Sequence, residues 1–532
     1  MKNKIGKFWD SLYNREICSK KELVREMVRI KLTEVERKKI SLCKEDLPSE
    51  DLYETMKKRT EEELGYFPGD RDFFYELYDL GRDIDLQEFA IQTYKNDRMG
   101  MILAPMHLAS YMANIIESNN INNVLITDAE KSLVGLVNVI KEFKNIQFTL
   151  TSENRLMFLL LSLLFKGFES VCVKHLSIYK KLVIGERFDL VLCLPAFGLK
   201  LDSDDVLNKY MTRESEGIAV ENLLRVIDRT GKLFVIVPAR FTFSGNGFER
   251  IRNKIISDYG LESIYTLPEG TFRPYTGIKT YMLGISNELV SETELGNLKL
   301  ESDVFIRRNK KKITKEEFNK YTDWRVELLL SENQDEIQKF KKSEVPKFKL
   351  KEVAEIFRGK SVMKKDVQPG KIHVLNISNI ENGHIFFDKM DTIDEEKRKI
   401  KRYELLDKDL VVTCRGTMNK VAVYKASDKF VIASANIIVI RFQKNVMSDY
   451  VKIFMESPVG STIIKSFQRG TMVMNINPKD VGEMEVPIAN IEVQKKIVEE
   501  YLNENKLYID TIKKAESRWE THKQELFDKI LK

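Results

Sequence analysis

The sequence predicts an α/β protein of several parts: a helical N-terminal domain, a central domain built on a parallel sheet, and a C-terminal α+β domain followed by a long helix. Three observations predict it. Residues 1–95 are rich in Lys, Glu, Leu and Arg and place apolar residues at helical spacing. Residues 96–300 alternate short β-branched runs with helix-like stretches. From 346 onward short strands are broken by turn signals, until a stretch with few helix breakers begins near 493.

Helical spacing, strand-like runs and turn signals mark off three parts of the chain in turn. In the first, Leu23, Met27 and Ile30 fall on one helical face, with Val24 and Val28 beside them. In the second, residues 123–127, 146–150, 188–192 and 232–237 read as strands, and 154–166 and 217–227 as helices between them. Such alternation argues for a parallel sheet, whose ligands sit at the carboxyl ends of the strands. Residues 301–345 read as a connector. It carries the basic run Arg307, Arg308, Lys310, Lys311, Lys312 and Lys315, which is a solvated surface or a contact for phosphates. In the third part, Glu381-Asn382-Gly383, Arg415-Gly416-Thr417 and Ser457-Pro458 mark turns between the strands of a domain over 346–488. Residues 489–532 form the long helix, with Val493, Ile497, Val498, Tyr501 and Leu502 at helical spacing, a spacer or docking arm.

Composition bounds the function. A chain of 532 residues that is 43% hydrophobic buries real cores, so wholesale disorder is excluded. A net charge of +6, from 87 basic and 81 acidic residues, permits nucleic-acid binding without requiring it. Cys18, Cys43, Cys172, Cys193 and Cys414 form neither a Cys-x-x-Cys hook nor an even-numbered framework, so no metal site and a reduced setting are expected. The opening residues lack the apolar core of a signal peptide. The longest apolar run, residues 156–165, falls short of the roughly 20 residues that span a bilayer. A cytoplasmic protein without membrane contact is expected.

The segment Phe188-Asp189-Leu190-Val191-Leu192-Cys193-Leu194-Pro195-Ala196-Phe197-Gly198 ends a strand on a proline and an aromatic. It resembles the F-D-x-V-x-x-N-P-P-F-G segment of adenine-N6 DNA methyltransferases. The run from Leu267 to Thr280 looks like the strand-turn-strand of type I modification subunits. The resemblance spans about 98–287 and implies a Rossmann-like methyltransferase domain over 96–300. In that family the target base is flipped out of the helix. The motif's Asn and a Pro carbonyl then accept from its amine while the aromatic stacks on it. Here Leu194 stands where the Asn should be and offers no side-chain acceptor, while Pro195, Ala196 and Phe197 keep a degenerate form of the site. The family's glycine-rich cofactor loop aligns with Asp128-Ala129-Glu130-Lys131-Ser132-Leu133-Val134-Gly135, where bulkier residues replace the close-approach glycines. The resemblance offers Asp128 and Glu153 as remnants of an S-adenosylmethionine site, with His175 near the adenine position. Two decayed sites imply that cofactor binding and methyl transfer are lost.

The second resemblance is carried by residues 348–360, by Leu406 to Thr417, by the strand after Asn419, by Ser434 to Arg441, and by Asn477 to Pro487. These look like the target recognition domain of type I restriction specificity subunits, which the family follows with a long helix. The resemblance implies readout of base edges by Arg, Lys, Asn and Gln on exposed loops. Candidates are Arg358, Lys360, Lys364, Lys365, Asn379, Arg415, Lys420, Gln468 and Arg469. The reading that follows is a sequence-specific double-stranded-DNA-binding protein of the restriction-modification and phage-defence type, with a methyltransferase-like pseudo-enzyme as scaffold. Its partners would be a second copy, or an active methyltransferase, a nuclease or another defence subunit. An active S-adenosylmethionine-dependent adenine-N6 methyltransferase with an atypical site is one alternative. A regulatory decoy for restriction-modification subunits that does not bind DNA is the other.

Overall fold

A computed structural model describes the chain except residues 1, 44–50, 96–100, 119–120, 203–208, 322, 417–419, 444, 469–474 and 532. It divides into two compact units, residues 1–326 and 327–532.

The first unit opens with five helices: α1 (Lys2–Tyr13), α2 (Lys20–Cys43), α3 (Leu52–Leu64), α4 (Arg71–Gly81) and α5 (Leu86–Tyr94). Asp51, Asp70 and Asp85 cap α3, α4 and α5 by accepting backbone N–H groups of the first turn, which such side chains do well. The helical reading of residues 1–95 thus holds, but these helices share one apolar core with the sheet that follows: Phe8, Phe74 and Phe89 belong to the same cluster as Val124, Leu150 and Leu192. The shift in texture near residue 95 marks a change of secondary structure within one body.

The sheet has nine strands: β1 (Asn123–Thr127), β2 (Gln147–Ser152), β3 (Val171–His175), β4 (Phe188–Cys193), β5 (Ile227–Pro238), β6 (Gly260–Thr266), β7 (Thr280–Ser286), β8 (Glu292–Glu301) and β9 (Val304–Thr314). Their order is β3-β2-β1-β4-β5-β7-β6-β8-β9. β3, β2, β1, β4 and β5 run parallel, covered by α6 (Met106–Glu117), α7 (Leu136–Glu142), α8 (Arg155–Leu164) and α9 (Ser215–Leu223) among others. Val124, Leu125 and Ile126 in β1, and Leu190, Val191 and Leu192 in β4, are all buried, as continuous apolar runs covered on both faces must be.

Two expectations need correction. The sheet is mixed beyond β5, because β7 runs antiparallel to both of its neighbours, β5 and β6, while β6 and β8 pair parallel. Residues 301–345 are not simply a connector, since β9 pairs antiparallel with β8 along its whole length and forms the sheet's edge. Its charges conceal a strand because an edge strand with one open face needs only occasional apolar residues, here Phe305 and Ile313.

The second unit builds a four-stranded sheet in the order β11-β19-β16-β17 and a three-stranded sheet in the order β15-β12-β18. The strands are β10 (Lys347–Lys349), β11 (Ala354–Arg358), β12 (Ile372–Leu375), β13 (Ile380–Glu381), β14 (His384–Ile385), β15 (Asp391–Ile393), β16 (Leu410–Thr413), β17 (Val421–Val423), β18 (Phe430–Ala433), β19 (Ile437–Phe442) and β20 (Glu485–Pro487). The β13–β14 hairpin turns on Asn382 and Gly383, both at positive φ, as a tight two-residue hairpin turn requires. Arg441 clamps the buried carboxylate of Asp409 through two N–H groups, at 2.9 and 2.8 Å. The long helix, Ile491–Ile530, is capped by Asn490 and anchored by Gln494, which accepts from Met447 N and donates to the carbonyls of Asn445 and Ala489. Its 40 residues extend about 60 Å, and only Gln494 and Val498 are buried.

Candidate functional site

In an open α/β sheet the ligand crevice lies where strand order reverses, outside the carboxyl ends of the strands on either side. Here that point lies between β1 and β4, because the chain moves outward through β2 and β3 and then returns to the far side of β1. β1 delivers Asp128, and β4 delivers Leu194, Pro195 and Ala196. The two sequence motifs therefore meet at the one place where such a sheet binds ligands.

Across the strand ends the chain bonds to itself. Lys131 donates from Nζ to Asp128 Oδ2 and to the Leu194 carbonyl, each at 2.8 Å. The Tyr179 hydroxyl donates to the same Asp128 oxygen at 2.7 Å and accepts from Ala196 N at 2.7 Å. Asn222, on α9, holds the turn that presents Tyr179 by donating to the carbonyls of Ile178 and Lys180. Burial, together with the adjacent Asp128 charge, drives the Tyr179 hydroxyl far above its ordinary pKa, so it stays a donor.

The β1–α7 loop is equally committed. Asp128 sits in the left-handed region at φ 45°, and residues 129–132 form a single 3-10 turn. Gly135 is locked, since a Cβ there would lie 2.3 Å from the Cβ of Ala109. Ser132 and Leu133 are buried, and Gln87 on α5 donates to the Leu133 carbonyl at 2.7 Å. Glu130 is buried too, with one carboxylate oxygen unpartnered. Desolvation, then the neighbouring Asp128 charge, raises its pKa.

On the β4 side Leu194 points into the main apolar cluster rather than into a polar pocket. Ser215 donates to the Ala196 carbonyl at 2.8 Å, and Gly198, at φ 70°, donates its N–H to buried Glu216 at 3.0 Å. Phe197 is half-buried, edge-on to Phe272 at 5.9 Å between ring centroids. Glu153 does not join the site: its carboxylate is exposed beside Lys180, and only its backbone carbonyl meets the His175 ring. The sequence displays the bulk at residues 132–134 but does not single out Lys131 and Tyr179, which bridge the two strand ends.

In the second unit, β11 and β16 end where β17 and β19 begin, so Arg358, Arg415, Lys420 and the turn before Ile437 share one end of the four-stranded sheet. Arg415 is exposed there, and Lys364 and Lys365 lie exposed on a 3-10 turn. Lys360 is ion-paired with Glu395 at 3.0 Å, and Lys420 reaches the Ile377 carbonyl at 3.4 Å. The Arg358 guanidinium turns inward to the Ala435 carbonyl, leaving one buried nitrogen without a partner. Two candidates are corrected. Asn379 is buried, its amide accepting from Asn376 N and donating to the Lys389 carbonyl. Gln468 is buried at the end of the helix Pro458–Phe467. Arg469 lies outside the described residues. Among the described residues no cluster of His, Cys, Asp and Glu is placed to hold a metal ion, and no helix is long and apolar enough to cross a membrane.

Residues 175–355 match the N-6 DNA Methylase family, and residues 342–501 match the type I restriction modification DNA specificity domain. The chain joins an N-6 DNA methylase domain to a type I DNA specificity domain. The methylase match begins past β1 and β2, so it includes the Leu194 segment and leaves out the loop of Lys131. The methylase sheet is of the S-adenosylmethionine-binding type. The methylase subunit of the type I restriction enzyme EcoEI from Escherichia coli is 28% identical over 102 residues, 18% of this chain and 21% of that protein, so the chain matches about a fifth of its relative's length. Among solved structures, a modification subunit of a putative type I restriction enzyme from Vibrio vulnificus YJ016 is 18% identical, with 51% and 59% of the two chains covered and a TM-score of 0.35. The type IIG restriction endonuclease BpuSI is 12% identical, with 92% and 74% covered and a TM-score of 0.43. Likenesses this distant carry no argument about activity.

Proposed function

We propose that this chain reads double-stranded DNA in a sequence-dependent way through its specificity domain, and that its methylase domain is a scaffold that transfers no methyl group by itself. The observation that carries the second half is the Lys131 ammonium bridging Asp128 and the Leu194 carbonyl. S-adenosylmethionine would have to enter a crevice filled by Lys131 and Tyr179, beside a loop whose locked Gly135 and buried Glu130 leave no open backbone cradle. The residues present do not fit the cofactor. The target amine would also find no side-chain acceptor at Leu194. Support for the DNA-reading half comes from the specificity-domain match and from the exposed Lys364, Lys365 and Arg415.

The setting we infer is a cytoplasmic restriction-modification or phage-defence system. There the chain acts as a homodimer, or beside an active methyltransferase, a nuclease or another defence subunit. The test uses the purified chain and a pool of random duplexes at near-physiological salt, where non-specific phosphate binding is weakened. Enrichment of one sequence supports the reading, and an unenriched pool refutes its first half. Incorporation of labelled methyl groups from S-adenosylmethionine into DNA refutes its second half.

A further inference from the structure

We propose that the switch-point crevice is an ammonium-binding site whose ligand is built into the chain as Lys131. This rests on the reading that the crevice holds no cofactor, and it names what the crevice recognises instead: a primary alkylammonium.

Two acceptors from the two strands that flank the reversal converge on one nitrogen: the Asp128 carboxylate beyond β1 and the Leu194 carbonyl beyond β4, both at 2.8 Å. Both lie where solvent barely reaches, the Asp128 side chain being 6% exposed and that of Lys131 12%. Tyr179 completes the frame by donating to the same carboxylate oxygen and accepting from Ala196 N, which fixes the two strand ends relative to each other. The lysine arm enters from a fixed base. Its backbone N–H donates to the Asp128 carbonyl at 3.0 Å, and its own carbonyl accepts from Ala104 N at 2.7 Å. A carboxylate this deep without a cation is costly, so the ammonium is a structural requirement of the crevice. Beyond Cβ the lysine arm has the composition of n-propylammonium. Lys131→Ala therefore leaves a slot of that shape, lined by the same two acceptors.

Thermal unfolding of the full chain tests this. Lys131→Ala lowers the midpoint of the first unit by roughly 5–10 °C. Added n-propylammonium chloride restores much of that loss. Sodium chloride or tetramethylammonium chloride at equal ionic strength does not, since neither cation donates an N–H. The wild-type chain shows no propylammonium-specific shift. Lys131→Met fills the slot without a charge and is destabilised but not rescued. Equal stability of Lys131→Ala and wild type, no propylammonium-specific rescue of Lys131→Ala, or equal rescue of Lys131→Met overturns the proposal. Acetylation of the wild-type chain by an N-hydroxysuccinimide ester gives a second readout that needs no variant to fold. Lys131 stays unlabelled while the exposed Lys141 and Lys144 react, and labelling of Lys131 at their rate overturns the proposal. Calorimetric binding of S-adenosylmethionine by the wild-type chain would refute the closed-crevice reading and this proposal with it. A missing propylammonium response without cofactor binding refutes this proposal alone.

Discussion

Replacing Leu194 by Asn reinstates the side-chain acceptor of the adenine-N6 motif, and it should reinstate no methyl transfer. Leu194 is 6% exposed within the main apolar cluster. Removing a buried leucine forfeits about 1.5–3 kcal/mol of apolar burial. Setting an amide in the same apolar place without partners costs about 1–3 kcal/mol more. The sum, roughly 2.5–6 kcal/mol, is a large share of the 5–15 kcal/mol typical of a folded domain. Urea unfolding followed through the fully buried Trp324 of the first unit should show the midpoint fall accordingly. Methyl incorporation should stay at background, because Lys131 and Tyr179 still fill the cofactor side. Two results would refute the reasoning. A loss below about 1 kcal/mol would mean that residue 194 faces an open polar pocket, as a working base site would. Methyl transfer by the variant would mean that the crevice admits the cofactor after all.

Three further outcomes are expected. The Glu130 carboxyl, pushed up to about 7 from an ordinary 4.5, binds its proton more tightly folded than unfolded, so its contribution to stability is whole below about pH 4.5 and is lost as pH rises through 7. Glu130→Gln should flatten that fall and gain up to about 3 kcal/mol above pH 7, which chemical denaturation at pH 5 and pH 8 would reveal. Asp409→Asn breaks the two-pronged clamp from Arg441 on a buried carboxylate and should cost the second unit about 3 kcal/mol or more, with the first unit unaffected in a domain-resolved melt. Substituting Lys364, Lys365 and Arg415 together by Ala should weaken DNA binding, relaxing sequence preference where they read base edges and lowering the slope of log K against log salt by about 1 for each phosphate no longer neutralised; unchanged affinity and preference remove them from the interface.

How much of this is legible in the sequence depends on the range of the interaction. The buried strands β1 and β4 are continuous apolar runs, so their place in a covered parallel sheet can be read directly, and with it the meeting of Asp128 and Pro195 at the strand ends. The lock is not legible, because Lys131 reaches the Leu194 carbonyl across 63 residues and Tyr179 reaches Asp128 across 51. No local pattern distinguishes those side chains from a surface lysine and a core tyrosine. Asn379 and Gln468 read as DNA contacts because polar side chains in turn-rich sequence suggest exposure, yet both are buried. β9 is hidden because alternation fails where nearly every residue is solvated.

That last strand gives the basic run a role of another kind. Among the described residues no further strand pairs with the outer side of β9, the arrangement from which sheets of separate molecules grow into one another. Lys310 and the ion-paired Arg308 and Lys312, held by Glu301 and Glu292, line this rim with solvated charge, so a second molecule approaching edge to edge must displace charged side chains before it gains hydrogen bonds. Charged side chains of this kind on an edge strand are a common brake on such pairing. Neutralising them would be felt first in the solubility of the protein at high concentration.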